Sequence, residues 1–294
     1  MPIDEAQMKI ADELHELART LDDEEALATY AKVLVIDPNR SSTHYNIGLL
    51  YKYQGKWQES FEHNLKSCEL CPDDESANWN LGIAATALRN WRVARDVWNR
   101  LGMNVELGDD PIDLDFGQTP VRLNPDDRGE VVWGTRIDPV RVRLANIPYP
   151  HSGFRCQDVV LHDGAAVGYR KIGEREYPVF NVFELFESSK LSTFEAEIIA
   201  PTHGDIEALV ASFDQEGIEC EDWTANVRTL CRQCSEGTPH ADHDHDLDVE
   251  WKDRHILGIG ANDASKAERV LKQWESNTRR GLSFTLALSP EHRH

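Results

Sequence analysis

Cys231-Arg-Gln-Cys234 is followed within eleven residues by His240, His243 and His245. Thiolate and imidazole are the ligands a tetrahedral Zn²⁺ prefers, and the C-x-x-C spacing lets two sulfurs reach one ion from a tight turn. Gly237 and Pro239 break regular structure between the two groups, so the chain can fold back and present a histidine. The expectation is one structural Zn²⁺ per chain. Cys231 and Cys234 supply two ligands, His240 with either His243 or His245 completes the set, and Cys220 stands in reserve. The competing reading is a solvated acidic loop, because Asp242, Asp244, Asp246, Asp248 and Glu250 interleave with the histidines. A redox pair is a further use of C-x-x-C, but no thioredoxin-like βαβ start surrounds this one.

The same ligands set the limits on catalysis. A zinc hydrolase or deaminase uses three protein ligands and an activated water, and zinc deaminases pair His-x-Glu with Pro-Cys-x-x-Cys. No His-x-Glu falls in the C-terminal half, Leu230 precedes Cys231, and His-Glu-x-x-His is absent. Glu236 and Asp242 are the only nearby general bases for that reading. A third reading makes the His/Asp tract a metal store or sensor. A nucleophilic site at Ser152 with His151 or His162 lacks both a Gly-x-Ser-x-Gly elbow and a matching acid.

The chain must supply elements that position such a tract, and its 294 residues allow two or three domains. The formal charge of −21 divides into −11 over residues 1–119, zero over 120–190 and −10 beyond. Phosphate binding needs a basic surface, so nucleic acid is excluded as a direct ligand, and the surface suits a basic protein partner. No apolar run spans a bilayer, no signal peptide opens the chain, and six cysteines with a C-x-x-C argue for reduced thiols. A cytoplasmic protein is expected.

Pro38 and Pro72 lie 34 residues apart, and each closes an apolar helical stretch. At the same period Gly48 of Tyr-Asn-Ile-Gly falls over Gly82 of Trp-Asn-Leu-Gly, Trp57 over Trp91, and Ser60 over Ala94. Ala26, Tyr30 and Pro38 carry the pattern one period earlier. Small residues at these places let paired helices approach, and Tyr51, Tyr30 and Trp98 fill the space between turns. Cys68 and Cys71 also read C-x-x-C, but they end a helix whose face packs inside the repeat. The period, the small residues and the closing proline resemble the tetratricopeptide repeat (TPR) over residues 7–102. That resemblance implies about three stacked helix-turn-helix units, with the first helices lining a groove for a protein or peptide partner. The matching positions are Tyr45, Asn46, Leu49, Lys52 and Tyr53, then Trp79, Asn80, Ile83 and Thr86. Asn46 and Asn80 match the place where the family binds a ligand backbone, and both are expected to be exposed. The alternative is a groove filled by the chain's own later segment.

Residues 103–128 gather Gly108, Pro111, Gly117, Pro120 and Pro125 among acids, and read as an extended acidic connector. Alternation then predicts a β-rich module over 129–190, with strands at 131–137, 140–147, 158–162, 167–172 and 179–183 forming a small barrel or meander. Asp163-Gly164 and Gly173-Glu174 are its turn signals. The aromatic stretch 146–155, with His151, Ser152 and Arg155, reads as a binding loop. Residues 191–294 repeat strand–helix–strand twice: strands at 194–200, 218–223, 255–260 and 282–288, with helices at 203–216 and 263–277. This βαββαβ order predicts a ferredoxin-like module with a metal-binding insertion at 224–248. The fold class is therefore α+β and multidomain. The function expected is a non-enzymatic interaction protein: an adaptor, inhibitor or immunity-type protein using a groove and an acidic surface, stapled by zinc.

Overall fold

The computed structural model describes residues 4–127, 129–224, 253–280 and 282–289. The chain divides into two compact units, residues 1–113 and 114–294.

In the first unit six helices follow one another: α1 (Glu5–Ala18), α2 (Asp23–Ile36), α3 (Ser41–Tyr53), α4 (Trp57–Leu70), α5 (Glu75–Ala87) and α6 (Trp91–Arg100). Asp4 closes a capping box with Gln7 at the start of α1, and Asp22, Asp74 and Asn90 cap α2, α5 and α6. Each cap satisfies a backbone N–H that the helix itself leaves open. Tyr30, Asn64 and Trp98, spaced 34 residues apart, occupy the equivalent position of the second helix in each pair. In the latter two pairs a glycine admits them: a Cβ on Gly48 would overlap Asn64, and one on Gly82 would overlap the Trp98 indole.

The expected connector 103–128 is not one. Val105 and Ile112 are buried, and the Asn99 side chain bonds the Val105 carbonyl and N–H at 2.7 and 2.6 Å. The Arg95 guanidinium holds the carbonyls of Asp110 and Pro111 at 3.0–3.2 Å. Residues 118–123 then form the first strand of the second unit.

That unit holds a closed barrel in the order β1 (Gln118–Leu123), β2 (Glu130–Arg136), β3 (Arg141–Leu144), β4 (Val159–Ile172) and β5 (Arg175–Glu187). Neighbours are antiparallel, and β1 closes on β5 in parallel through Val121↔Phe180 and Arg122↔Asn181. Val121, Leu123, Val132, Val142, Leu144, Val160 and Val182 fill the interior. Two sequence readings change here. Segments 158–162 and 167–172 are one strand, because Asp163-Gly164 makes an irregular stretch with register shifts rather than a reversal. The first strand lies in the expected connector, where Pro120 and Gly117 masked it.

The rest of the unit comprises β6 (Ser192–Ile199), α7 (His203–Gln215), β7 (Glu219–Asp222), β8 (Arg254–Ala261), α8 (Ala264–Thr278) and β9 (Leu282–Leu288). The sheet runs β7-β8-β6-β9 with antiparallel neighbours. Ile206, Leu209 and Phe213 of α7 and Ala267, Leu271 and Trp274 of α8 share one core with Phe194, Ala196, Leu257 and Ile259. Both helices therefore cover one face. The opposite face meets the barrel: the Trp223 ring lies where a Cβ on Gly258 would stand, and its indole N–H donates to the Ile147 carbonyl at 3.1 Å. Residues 129–190 and 191–294 thus belong to one compact unit.

Candidate partner-binding face

The first helices of the second and third pairs, α3 and α5, carry the eight expected contact residues, and the structure divides them. Tyr45 and Leu49 are half-buried and Tyr53 is 57% exposed, so these three on α3 present surface. Trp79 is half-buried with its ring 5.3 Å from Trp98. Lys52, Asn80 and Ile83 are buried at 3%, 5% and 1% exposure, and Thr86 bonds the Gly82 carbonyl of its own helix at 2.8 Å. The Lys52 ammonium sits 4.4 Å from the centre of the Tyr53 ring.

The exposed carboxamides expected at Asn46 and Asn80 are not found. Asn46 donates to the Tyr30 hydroxyl at 3.0 Å and lies 3.4 Å from His15 Nε2, while His15 Nδ1 bonds the Thr43 hydroxyl at 2.8 Å. This Tyr30–Asn46–His15–Thr43 chain ties α1, α2 and α3 together. Burial, and next the Arg40 charge, depress the His15 pKa; burial, tempered by the Asn46 bond, raises that of Tyr30. The sequence carried a signal for this network, since His15, Tyr30 and Asn46 sit at inward helical spacings, but spacing alone does not tell a core amide from a ligand-facing one.

A second histidine site lies between α3 and α4. His44 Nδ1 and His63 Nδ1 stand 3.1 Å apart, and His44 Nε2 is 3.1 Å from the Pro38 carbonyl. The sequence reading passed over both residues.

The expected metal ligands Cys231, Cys234, His240, His243 and His245 lie outside the described residues. The reserve ligand Cys220 is described: it is buried in the core between sheet and helices, and burial drives its thiol pKa up. A thiol held neutral there is poorly placed as a ligand. Among the described residues no three His, Cys, Asp or Glu side chains gather to hold a metal. Cys68 is buried with its pKa pushed up to about 11, and Cys71 is exposed.

The stretch 146–155 is packed rather than open. Glu221 of β7 accepts from the Asn146 side chain at 2.5 Å and from the Ile147 N–H at 3.1 Å. Tyr149 packs on Trp223 with ring centres 5.2 Å apart. Ser152 donates to the Tyr149 carbonyl at 2.7 Å, and His151 stacks on the Tyr149 ring. His162 is fully buried, its Nδ1 2.6 Å from the Asp163 carbonyl, and burial drops its pKa to about 3. Arg155 is buried against Asp158 and donates to the Ser188 hydroxyl at 2.6 Å. These residues join barrel to sheet, and the Ser152 hydroxyl is engaged by its own turn.

No described helix is long and apolar enough to cross a membrane. No protein-family model matches the chain, and no curated protein does. Among solved structures, the chain is similar to the Sgt2 TPR domain from Aspergillus fumigatus at 18% identity and a TM-score of 0.29. The match covers 31% of this chain and spans 62% of the length of that one.

Proposed function

We propose that the chain is a non-catalytic, cytoplasmic interaction protein whose helical unit is a TPR-type array that binds a protein partner through α3. The observation that carries the reading is the six-helix array with one 34-residue geometry, in which Tyr45, Leu49 and Tyr53 present apolar and aromatic surface. Aromatic residues with few degrees of freedom are effective anchors for a partner. The excess of acids in residues 1–119 favours a basic partner, as an adaptor, inhibitor or immunity-type protein would meet. The strand order β7-β8-β6-β9 with two helices on one face supports reading residues 191–294 as a ferredoxin-like module. Its 224–248 insertion would carry the structural Zn²⁺ on Cys231, Cys234 and two of the three histidines.

Co-purification from native extract, with the partner identified by mass spectrometry and then remade pure, tests the binding face. Tyr45→Ala with Leu49→Ala should weaken that purified pair by about tenfold or more while helix content is kept. Undiminished binding by the double variant overturns the α3 face. Elemental analysis tests the metal separately: close to one zinc per chain is expected, lost in Cys231→Ser with Cys234→Ser. Zinc-free native protein ends that part of the reading.

A further inference from the structure

His44 lies in the first turn of α3 and His63 in the middle of α4, and antiparallel packing of the pair points their Nδ1 atoms at each other, 3.1 Å apart. The Pro38 carbonyl lies 3.1 Å from His44 Nε2. A carbonyl only accepts, so in neutral His44 the proton is on Nε2 and Nδ1 carries a lone pair directed toward His63. Imidazoles that bind metals are held in just this way, with the outer ring N–H fixed by a carbonyl or carboxylate. Two nitrogens bound at about 2.0–2.1 Å to one ion stand about 2.9 Å apart at a right angle and about 3.4 Å at the tetrahedral angle. The observed 3.1 Å falls between those limits.

We propose that His44 and His63 form a two-imidazole site for a divalent transition metal, Cu²⁺ before Zn²⁺ or Ni²⁺, that clamps α3 to α4. The order follows from the intrinsic preference of nitrogen ligands along the first-row metals. In the neutral pair one proton lies between the two Nδ1 atoms, on His63. On metal binding that proton moves to His63 Nε2, both Nδ1 lone pairs turn onto the ion, and no proton is released. Water completes the coordination shell. The Glu62 carboxylate beside His63 adds negative field. Tyr51 stacks 6.0 Å from the His63 ring, and the Lys56 ammonium sits 5.5 Å from the Tyr51 ring. Burial, and next the His44 charge, lower the His63 pKa, which keeps its ring neutral and able to bind near pH 7. The site is built from residues 34–168 positions before the Cys231–His245 tract and is independent of it.

The test uses the full chain with Cys231→Ser, Cys234→Ser, His240→Ala, His243→Ala and His245→Ala, which removes the competing tract. Substoichiometric CuCl₂ should broaden the imidazole NMR signals of His44 and His63 together, and the Cu²⁺ electron paramagnetic resonance spectrum should show coordinated nitrogen. His44→Gln or His63→Gln should weaken that copper binding by about tenfold or more. Unbroadened His44 and His63 rings at saturating copper overturn the site, as does unchanged affinity in both glutamine variants. If the glutamine variants fail to fold, the ring signals of the parent still decide.

Discussion

In the second helical pair Gly48 faces the Asn64 carboxamide; in the third, Gly82 faces the Trp98 indole. Thirty-four residues separate the members of each set, and the turns between their helices are superimposable in kind. Gln54, Gly55 and Lys56 donate backbone bonds to Leu50, Lys52 and Tyr51, just as Leu88, Arg89 and Asn90 donate to Ala84, Thr86 and Ala85. The fillings differ. The second pair is held by polar groups: Ser60 Oγ donates to the Gly48 carbonyl at 2.8 Å, Asn64 donates to the Ser60 carbonyl at 2.8 Å, and His44 meets His63. The third has Ala94, Val97 and Trp98, all fully buried. One repeat geometry thus tolerates two chemistries, and they should respond to mutation and to acid in different ways.

The largest contrast is expected at Trp98 and Asn64. Trp98→Ala empties a fully buried indole and should cost about 3–5 kcal/mol, enough to unfold much of the helical unit. Asn64→Leu removes a donor and an acceptor together while keeping the volume, a change that is nearly neutral when both sides of a polar contact can do without it. Chemical denaturation of each variant, read by helix signal, checks this. A Trp98→Ala protein as stable as its parent would end the claim that the third pair hangs on its aromatic plug.

Acid should separate the pairs next. His15 and His63 both have pKa values lowered by burial, so the unfolded chain binds protons more readily than the folded one. Stability from these two groups is therefore intact above about pH 6.5 and is lost as the pH falls below it toward their folded values. Residues 75–100 contain no histidine. Amide exchange followed from pH 7.5 to 5 should thus accelerate in α1–α4 before α5 and α6. Simultaneous opening of all six helices would show that the histidines are not what acid acts on.

These contrasts also show what the sequence made legible. The period, the glycines and the large residues opposite them were readable because close helix approach demands a small residue at a fixed spacing. Asn46 was misread because its spacing is shared by ligand-facing and core positions; the Tyr30 hydroxyl that engages it comes from another helix. Strand β1 was lost among Gly117, Pro120 and Pro125, since its burial arises from barrel closure against β5 and leaves no local alternation. The β4 irregularity looked like a turn because Asp-Gly favours both outcomes, and the partner strand decides. The order of strands and helices after residue 191 was plain, as each element carries its own periodicity. Why Glu221 and Trp223 matter was not, since their partners Asn146 and Ile147 lie more than 70 residues away.

A smaller effect is expected where the two turns depart from each other in backbone cost. Gly55 and Arg89 both adopt left-handed φ, +67° and +57°. A side chain there costs about 1 kcal/mol relative to glycine, so Gly55→Ala should lose about that much. Arg89→Gly should gain less, because Arg89 has side-chain interactions to give up. Thermal melting of both variants measures the pair, and a loss on Arg89→Gly would mean those interactions outweigh the strain.

The smallest contrast lies one residue on. Lys56 and Asn90 precede α4 and α6 with almost the same backbone, φ −84° and ψ 76° against φ −81° and ψ 74°. Asn90 accepts a bond from the Val93 N–H, while Lys56 makes no side-chain cap. Lys56→Asn should therefore supply a missing cap to α4 and stabilise it by about 0.5–1 kcal/mol. Part of that gain is offset, because the Lys56 ammonium 5.5 Å from the Tyr51 ring is lost, a contact that contributes about 0.5 kcal/mol at an exposed site. Asn90→Lys carries no such compensation and should lose the full cap. The prediction is an asymmetric exchange: a loss at 90 larger than the gain at 56. Denaturation midpoints of the two single variants and the double swap measure it, and equal and opposite shifts would show that the Lys56–Tyr51 contact contributes nothing.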